Sequence, residues 1–265
     1  MTKAADLYRA GQLSEAVAAQ NDEVRNHPTD IERRSFLAEL LCLSGNLDRA
    51  DAQCATIEKM DPGSGPGLNL LRQLIRAEKS RQEVHQEGRV PEFLSDPPAY
   101  AQTSLRAMAA VRAGDGVQAA QLAAEAEEGR GKVRGKCGGE AFEDFRDLDD
   151  LLCGVLEVLT STGRYMWIPV RSVMSLEFDA PLRPLDLLWR PAMMSVRNGP
   201  EGKVYLPAIY AYQGDVSDDS SRLGRRTDWV TETGTELTRG VGLRTFLVGD
   251  DAKTILELEQ LTFED

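Results

Sequence analysis

Two stretches decide the architecture: Ala4-Ala5-Asp6-Leu7-Tyr8-Arg9-Ala10-Gly11-Gln12-Leu13-Ser14-Glu15-Ala16 and Ala38-Glu39-Leu40-Leu41-Cys42-Leu43-Ser44-Gly45-Asn46-Leu47-Asp48-Arg49-Ala50. Ala4, Leu7, Gly11, Leu13, Ala16 and, further on, Pro28 recur as Ala38, Leu41, Gly45, Leu47, Ala50 and Pro62, each 34 residues later. That is the period of tetratricopeptide-like helical hairpins. The residue types suit the roles. Alanine lets two antiparallel helices approach closely, Gly11 and Gly45 fall at the turn inside each hairpin, and Pro28 and Pro62 stop each second helix. Leu7 and Leu41 are expected to face the hairpin cores.

Working outward, a weaker third copy falls at 98–129, where Gly114 precedes Ala119 by the same five residues, with Leu105, Met108 and Val111 before it and Leu122 after it. Between the second and third copies, Leu68, Leu71 and Ile75 recur at helical spacing and predict one longer helix running to Glu87. The glycines around Pro66, and the stretch from Pro91 to Pro98, read as loops. Stacked repeat helices form extended surfaces that bind other proteins, and residues 1–130 are read as such a domain.

The basic, glycine-rich run from Gly129 to Gly139 reads as a mobile linker, and Leu151, Leu152, Val155, Leu156 and Leu159 predict a connecting helix ending at Gly163, so that 131–163 joins two dissimilar parts. From Tyr165 the period shifts toward two. Strands are expected at 165–170, 173–178, 189–197, 203–212, 227–231, 243–248 and 256–263, with Asn198-Gly199-Pro200-Glu201-Gly202 as a hairpin turn. The fold class is therefore α+β multidomain: N-terminal helical-hairpin repeats, then a small antiparallel β-rich domain over 164–265, bent or half-barrelled.

The chain has 265 residues, 31 basic and 43 acidic, for a formal charge of −12. The acidity is concentrated after residue 140, where 13 basic side chains face 22 acidic ones. An acidic surface argues against nucleic-acid binding. No apolar run is long enough for a membrane span, and no apolar stretch near Met1 resembles a secretory signal. Cys42, Cys54, Cys137 and Cys153 form no CxxC pair, which fits a reduced, cytoplasmic protein.

Asp144, Asp147, Asp149 and Asp150 could hold a cation or form an acid–base pair, but lack calcium-loop spacing, and acids opening a helix are the simpler reading. Gly240-Val241-Gly242 lacks the third glycine of a dinucleotide loop. Arg130, Lys132, Arg134 and Lys136 match no Walker loop. Cys42 and Cys54 read as core, Cys137 as the accessible thiol, His85 as a residue of a charged helix, and Trp167, Trp189 and Trp229 as strand packing. No catalytic residue, cofactor or metal ligand set emerges.

One ordered set in the second half is more specific. Phe142 with Asp147-x-Asp149 precedes Gly163-Arg164-Tyr165-x-Trp167-x-Pro169 and Asp186-Leu187-Leu188-Trp189-Arg190-Pro191-Ala192. Then follow Leu206-Pro207, Tyr210, Leu223-Gly224-Arg225-Arg226-Thr227-Asp228-Trp229 and Gly240-x-Gly242-x-Arg244. With the N-terminal repeats, this resembles the ImpE family, also called TagJ or SciE-type proteins, accessory proteins of the bacterial type VI secretion system. The resemblance implies a cytoplasmic, non-enzymatic adaptor that binds the N-terminal helix of the small contractile-sheath subunit and modulates sheath assembly or its disassembly by an AAA+ ATPase. A partner helix laid in a groove of the repeats would bury an amphipathic stripe. Repeat geometry nominates Tyr8, Arg9, Glu32, Ser35, Glu39 and Leu43, on the first helix of each hairpin, as its contacts. The rival readings are a general repeat scaffold or chaperone outside secretion, and an enzyme built around the Asp144–Asp150 cluster with Arg225 and Arg226.

Overall fold

The computed structural model describes residues 2–63, 65–211 and 218–264. The period of 34 becomes two helical hairpins, α1 (Lys3–Ala10) with α2 (Leu13–Asn26) and α3 (Ile31–Leu43) with α4 (Leu47–Met60). The long helix is α5 (Gly65–Glu87), and the third hairpin is α6 (Ala99–Arg112) with α7 (Gly116–Arg130). The small residues are where the helices touch: Ala4, Ala16, Ala38, Ala50 and Ala119 are wholly buried. Gly11, Gly45 and Gly114 occupy equivalent turns with φ of 85°, 76° and 75°, a left-handed conformation costly for any residue with a Cβ. Thr2, Asp30 and Asp115 cap α1, α3 and α7 through side-chain oxygens that accept the Ala5, Arg33 and Gln118 N–H groups.

The remainder is β-rich. Its strands are β1 (Gly135–Cys137), β2 (Glu140–Phe142), β3 (Phe145–Asp147), β4 (Val155–Thr160), β5 (Tyr165–Pro169), β6 (Val173–Phe178), β7 (Trp189–Val196) and β8 (Glu201–Pro207). The short helix α8 (Asp219–Arg222) precedes β9 (Thr227–Thr231), β10 (Thr238–Gly242), β11 (Thr245–Val248), β12 (Asp251–Thr254) and β13 (Gln260–Phe263). Eight strands form an antiparallel sheet in the order β2-β1-β13-β6-β7-β8-β4-β5, beside a three-stranded sheet β12-β11-β3 and the hairpin β9–β10. The architecture is thus the α+β arrangement that the sequence led us to expect. One apolar core runs from the helical hairpins through α5 to Leu152, Leu159, Tyr165, Trp167 and Trp189, and a second fills the sheet around Phe145, Phe246 and Leu261.

Residues 131–163 depart from expectation. They hold no connecting helix and no free linker, but four strands. Val155 to Leu159 is buried on both sides of the sheet, and a short, wholly buried run has no periodicity that separates strand from helix. The basic loop is equally engaged. Arg130 is 3% exposed at the end of α7, and β1 is pinned between β2 and β13. Cys137 lies in β1 and is buried, so it is not an accessible thiol. The acidic cluster opens no helix; it runs from Asp144, just before β3, through β3 to the turn after it.

Tyr210 lies flat against Gly240 of β10, where an added Cβ would meet the ring at 2.2 Å. Gly240→Ala is therefore expected to lower the free energy of unfolding by about 1–3 kcal/mol through overpacking. Gly202→Ala, in β8 with open space around it, is expected to change it by less than about 0.5 kcal/mol. Urea unfolding of the two variants checks the pair.

Candidate functional site

The densest chemistry lies where α5 meets the sheet. Glu78, Arg81 and His85 stand three and four residues apart, so they share one helical face, and all three are buried. Opposite them, in the middle of β4, Glu157 has no exposed surface. Its carboxylate accepts two bonds from Arg81, Nε at 2.9 Å and Nη2 at 3.0 Å. It also takes one from His85 Nε2 at 2.8 Å, one from the Tyr165 hydroxyl and one from Arg244. Trp167 Nε1 donates to the Tyr165 oxygen at 2.7 Å. On α5, Glu78 pairs with Arg81 at 3.0 Å and accepts Trp189 Nε1 at 3.1 Å.

The network continues through Arg244, whose Nη1 lies 3.3 Å from Asp147. Tyr210 donates to Asp147 at 2.8 Å. Asp149 accepts the backbone N–H groups of Leu151 and Gly240 at 2.9 and 3.0 Å, tying the acidic turn to β10.

Burial and pairing pull these acids in opposite directions. Burial alone would raise the Glu157 carboxyl, but Arg81, Arg244 and His85 outweigh it and hold the group well below the ordinary carboxylate range. Asp147 has one guanidinium and a neighbouring acid, so burial wins and pushes it up to about 7. Burial also raises Asp149 against the pull of Arg239. Tyr165 and Tyr210 are raised by burial, and then by the carboxylates they face. A cavity of about 220 Å³ opens beside this network, bounded by Ser44 and Gly45 of the α3–α4 turn, Gln82 and Gln86 of α5, and Arg222 of α8. Because each carboxylate is already held by protein donors, the geometry is that of a clamp between helix and sheet.

The four aspartates do not gather around a cleft. Asp144 takes the Arg130 fork at 2.9 and 2.7 Å, Asp150 pairs with Arg146 at 3.0 Å and caps the Thr238 N–H, and the other two belong to the buried network. Arg225 and Arg226 lie elsewhere: Arg225 donates to the carbonyls of Tyr8 and Arg9, and Arg226 pairs with Asp228 at 2.9 Å. Burial raises all four thiols, Cys54 and Cys153 to about 12. The network itself escaped the sequence reading, which placed His85 on a charged helix. Its signal was a lone acid inside Val155-Leu156-Glu157-Val158-Leu159, which demands a buried cation.

The nominated repeat face has a different fate. Leu43 is buried among Leu13, Ala16, Leu40 and Leu223, so it is a packing residue and offers no contact to a partner. Tyr8 is half-buried, edge-on to Phe36. Glu39 is half-buried, and burial raises its carboxyl beside Arg183 and Asp186. Arg9 and Glu32 are exposed and Ser35 partly so. The chain's own C-terminal part supplies the cover. Asp219 accepts from the Ser14 N–H and hydroxyl, both at 2.9 Å, and Leu223 and Arg225 sit on the first hairpin.

A stack of helical hairpins clamped through buried ion pairs onto an antiparallel sheet is a repeat-type scaffold with an integral β-domain. The ImpE protein family model matches residues 139–262. The type VI secretion system accessory component TagJ of Pseudomonas aeruginosa is 33% identical over 98% of this chain and 91% of its own length. A crystal structure of a protein from Vibrio parahaemolyticus superposes with a TM-score of 0.94 at 29% identity, covering all of this chain and 98% of the other. The chain belongs to the ImpE family.

Two outcomes test the clamp. Glu157→Gln leaves Arg81 and Arg244 short of a buried counter-charge and is expected to cost about 3–5 kcal/mol in urea unfolding. Asp147 has a folded value of about 7 against 3.8 for the free side chain. The folded protein therefore binds the extra proton between those values, and this residue's contribution to stability falls as pH rises from about 4 to 7. The stability of the wild type relative to Asp147→Asn is expected to decline across that window and to level off above it. A difference independent of pH would contradict it.

Proposed function

We propose that this chain is a non-enzymatic accessory component of type VI secretion, which binds the N-terminal helix of the small contractile-sheath subunit through its helical hairpins. Through that contact it modulates sheath assembly and, indirectly, AAA+ ATPase-driven disassembly. The observation that carries this reading is the pairing of a helical-repeat architecture with family membership: its relative is named as a type VI secretion accessory component. The buried acids add to it: Glu157 is taken up in holding α5 to the sheet, Asp149 in tying its turn to β10, and Asp144 in the Arg130 fork. Among the described residues, no group of histidines, cysteines and acids could hold a metal, and no helix is long and apolar enough to cross a membrane.

The proposed docking surface leaves out side chains that the fold buries. Leu43 leaves it, and Tyr8 and Glu39 contribute only their exposed edges. Arg9, Glu32 and Ser35 remain as the polar rim on α1 and α3, where side chains are open to a helical partner. Calorimetric titration with the N-terminal peptide of the small sheath subunit is expected to show saturable binding at micromolar affinity or tighter, with a negative heat-capacity change. Replacing Arg9→Glu and Glu32→Arg together is expected to weaken binding by about tenfold or more while leaving the urea midpoint unchanged. Unaltered affinity in that variant moves the interface off α1 and α3. Absence of binding to both the peptide and the intact sheath subunit overturns the proposal.

A further inference from the structure

Strand β9 is paired on one side only. Its ladder with β10 runs Thr227↔Gly242, Trp229↔Gly240 and Thr231↔Thr238, and among the described residues no strand lies along its other edge. The backbone bonds from Glu232 N to Leu237 O (3.0 Å) and from Leu243 N to Arg226 O (2.8 Å) fix the phase of that ladder. Residues 226, 228, 230 and 232 turn their peptide groups toward β10, and Thr227, Trp229 and Thr231 turn theirs outward. Edges of this kind template further strand pairing unless proline, lysine or a bulge blunts them, and β9 contains none of the three. Trp229 marks the middle of the edge. It is 42% exposed, whereas Trp167 and Trp189 are buried.

The edge is also symmetric. Thr227-Asp228-Trp229-Val230-Thr231 reads the same in both directions at the three positions whose backbone points outward. We propose that β9 pairs antiparallel with β9 of a second copy of this chain, about a two-fold axis through Trp229. The register brings the two Trp229 side chains together and sets each Thr227 across from Thr231 of the other copy, pairs of the type that stabilise sheets. One step further out, Arg226 stands across from Glu232 of the other copy, and the two-fold repeats that opposite-charge pair at both ends. This charge complementarity selects a second copy over an unrelated strand, because an isologous interface must satisfy its own charges twice. The Arg226 side chain is 41% exposed; its Nε donates to the Ser221 hydroxyl at 3.1 Å and its Nη2 lies 2.9 and 3.3 Å from Asp228 and Asp218, so Glu232 of the other copy joins a guanidinium that two acids of its own chain already share. The result is a four-stranded sheet, β10-β9-β9-β10, across the dimer. An interface of one short strand falls below the roughly 1,200 Å² of a stable complex, so the dimer is weak and forms as concentration rises.

Sedimentation velocity of the full chain over a concentration series tests this, with tryptophan emission followed in parallel. The wild type is expected to shift from monomer to dimer mass, with a blue shift from Trp229. Arg226→Glu and Glu232→Arg each place like charges at both ends and are expected to raise the dimerisation midpoint by about tenfold or more. An equimolar mixture of the two variants restores an opposite-charge pair at both ends and is expected to dimerise at least about tenfold more tightly than either variant alone, which also shows that both variants are folded. A wild type that stays monomeric at all concentrations, a dimer indifferent to either substitution, or a mixture that stays monomeric overturns the proposal.

Discussion

The Glu157 carboxylate is the constraint on which the rest of the structure depends. It is a full negative charge in the centre of a strand with no water around it, a placement that costs several kcal/mol unless cations and hydrogen bonds replace the lost hydration. Two guanidiniums, an imidazole and a phenol do so, and they come from α5, β5 and the residue just before β11. No one of these elements can shift without stripping the acid. Apolar contacts between α5 and the sheet would tolerate sliding, but a carboxylate gripped by two forks does not. The ion cluster thus sets the angle at which the helical hairpins meet the β-domain.

The helical half was legible because its signals are local. A period of 34, a glycine at each turn and an alanine at each close approach are statements about neighbouring residues, and Gly11, Gly45 and Gly114 adopt the left-handed turns those statements imply. Most strands after Tyr165 were legible for the same reason, since alternation and turn residues act over a few positions. The failures fall where local pattern is ambiguous and distant partners decide. Val155–Leu159 fits a helical face as well as a strand, and it became a strand because β5 and β8 flank it. The run around Arg134 looked like a mobile tether, but pairing of β1 with β13, more than a hundred residues away, ordered it.

The candidate site shows the same division. The exposure of Arg9 and Glu32 follows from the local helix alone. Leu43 does not, because its neighbour Leu223 arrives from the far end of the chain. The buried network was invisible as a set, since Arg81, Asp147, Glu157 and Arg244 are scattered through the sequence and each alone resembles an ordinary surface charge. Only the isolation of Glu157 among apolar residues hinted at it. Family likeness added what physics could not read: membership of the ImpE family.

The clasp over the first hairpin has a consequence for how the chain is made. Ser14 is bonded to Asp219, 205 residues later, and the apolar patch of Leu13, Leu40 and Leu43 is closed by Leu223. During synthesis, α1 to α4 leave the ribosome long before their cover exists. At about 5–20 residues per second, that patch stays open for ten seconds or more, ample time for a chaperone or a neighbouring nascent chain to engage it. The first helical hairpins therefore wait on residues 219–223 before they are finished.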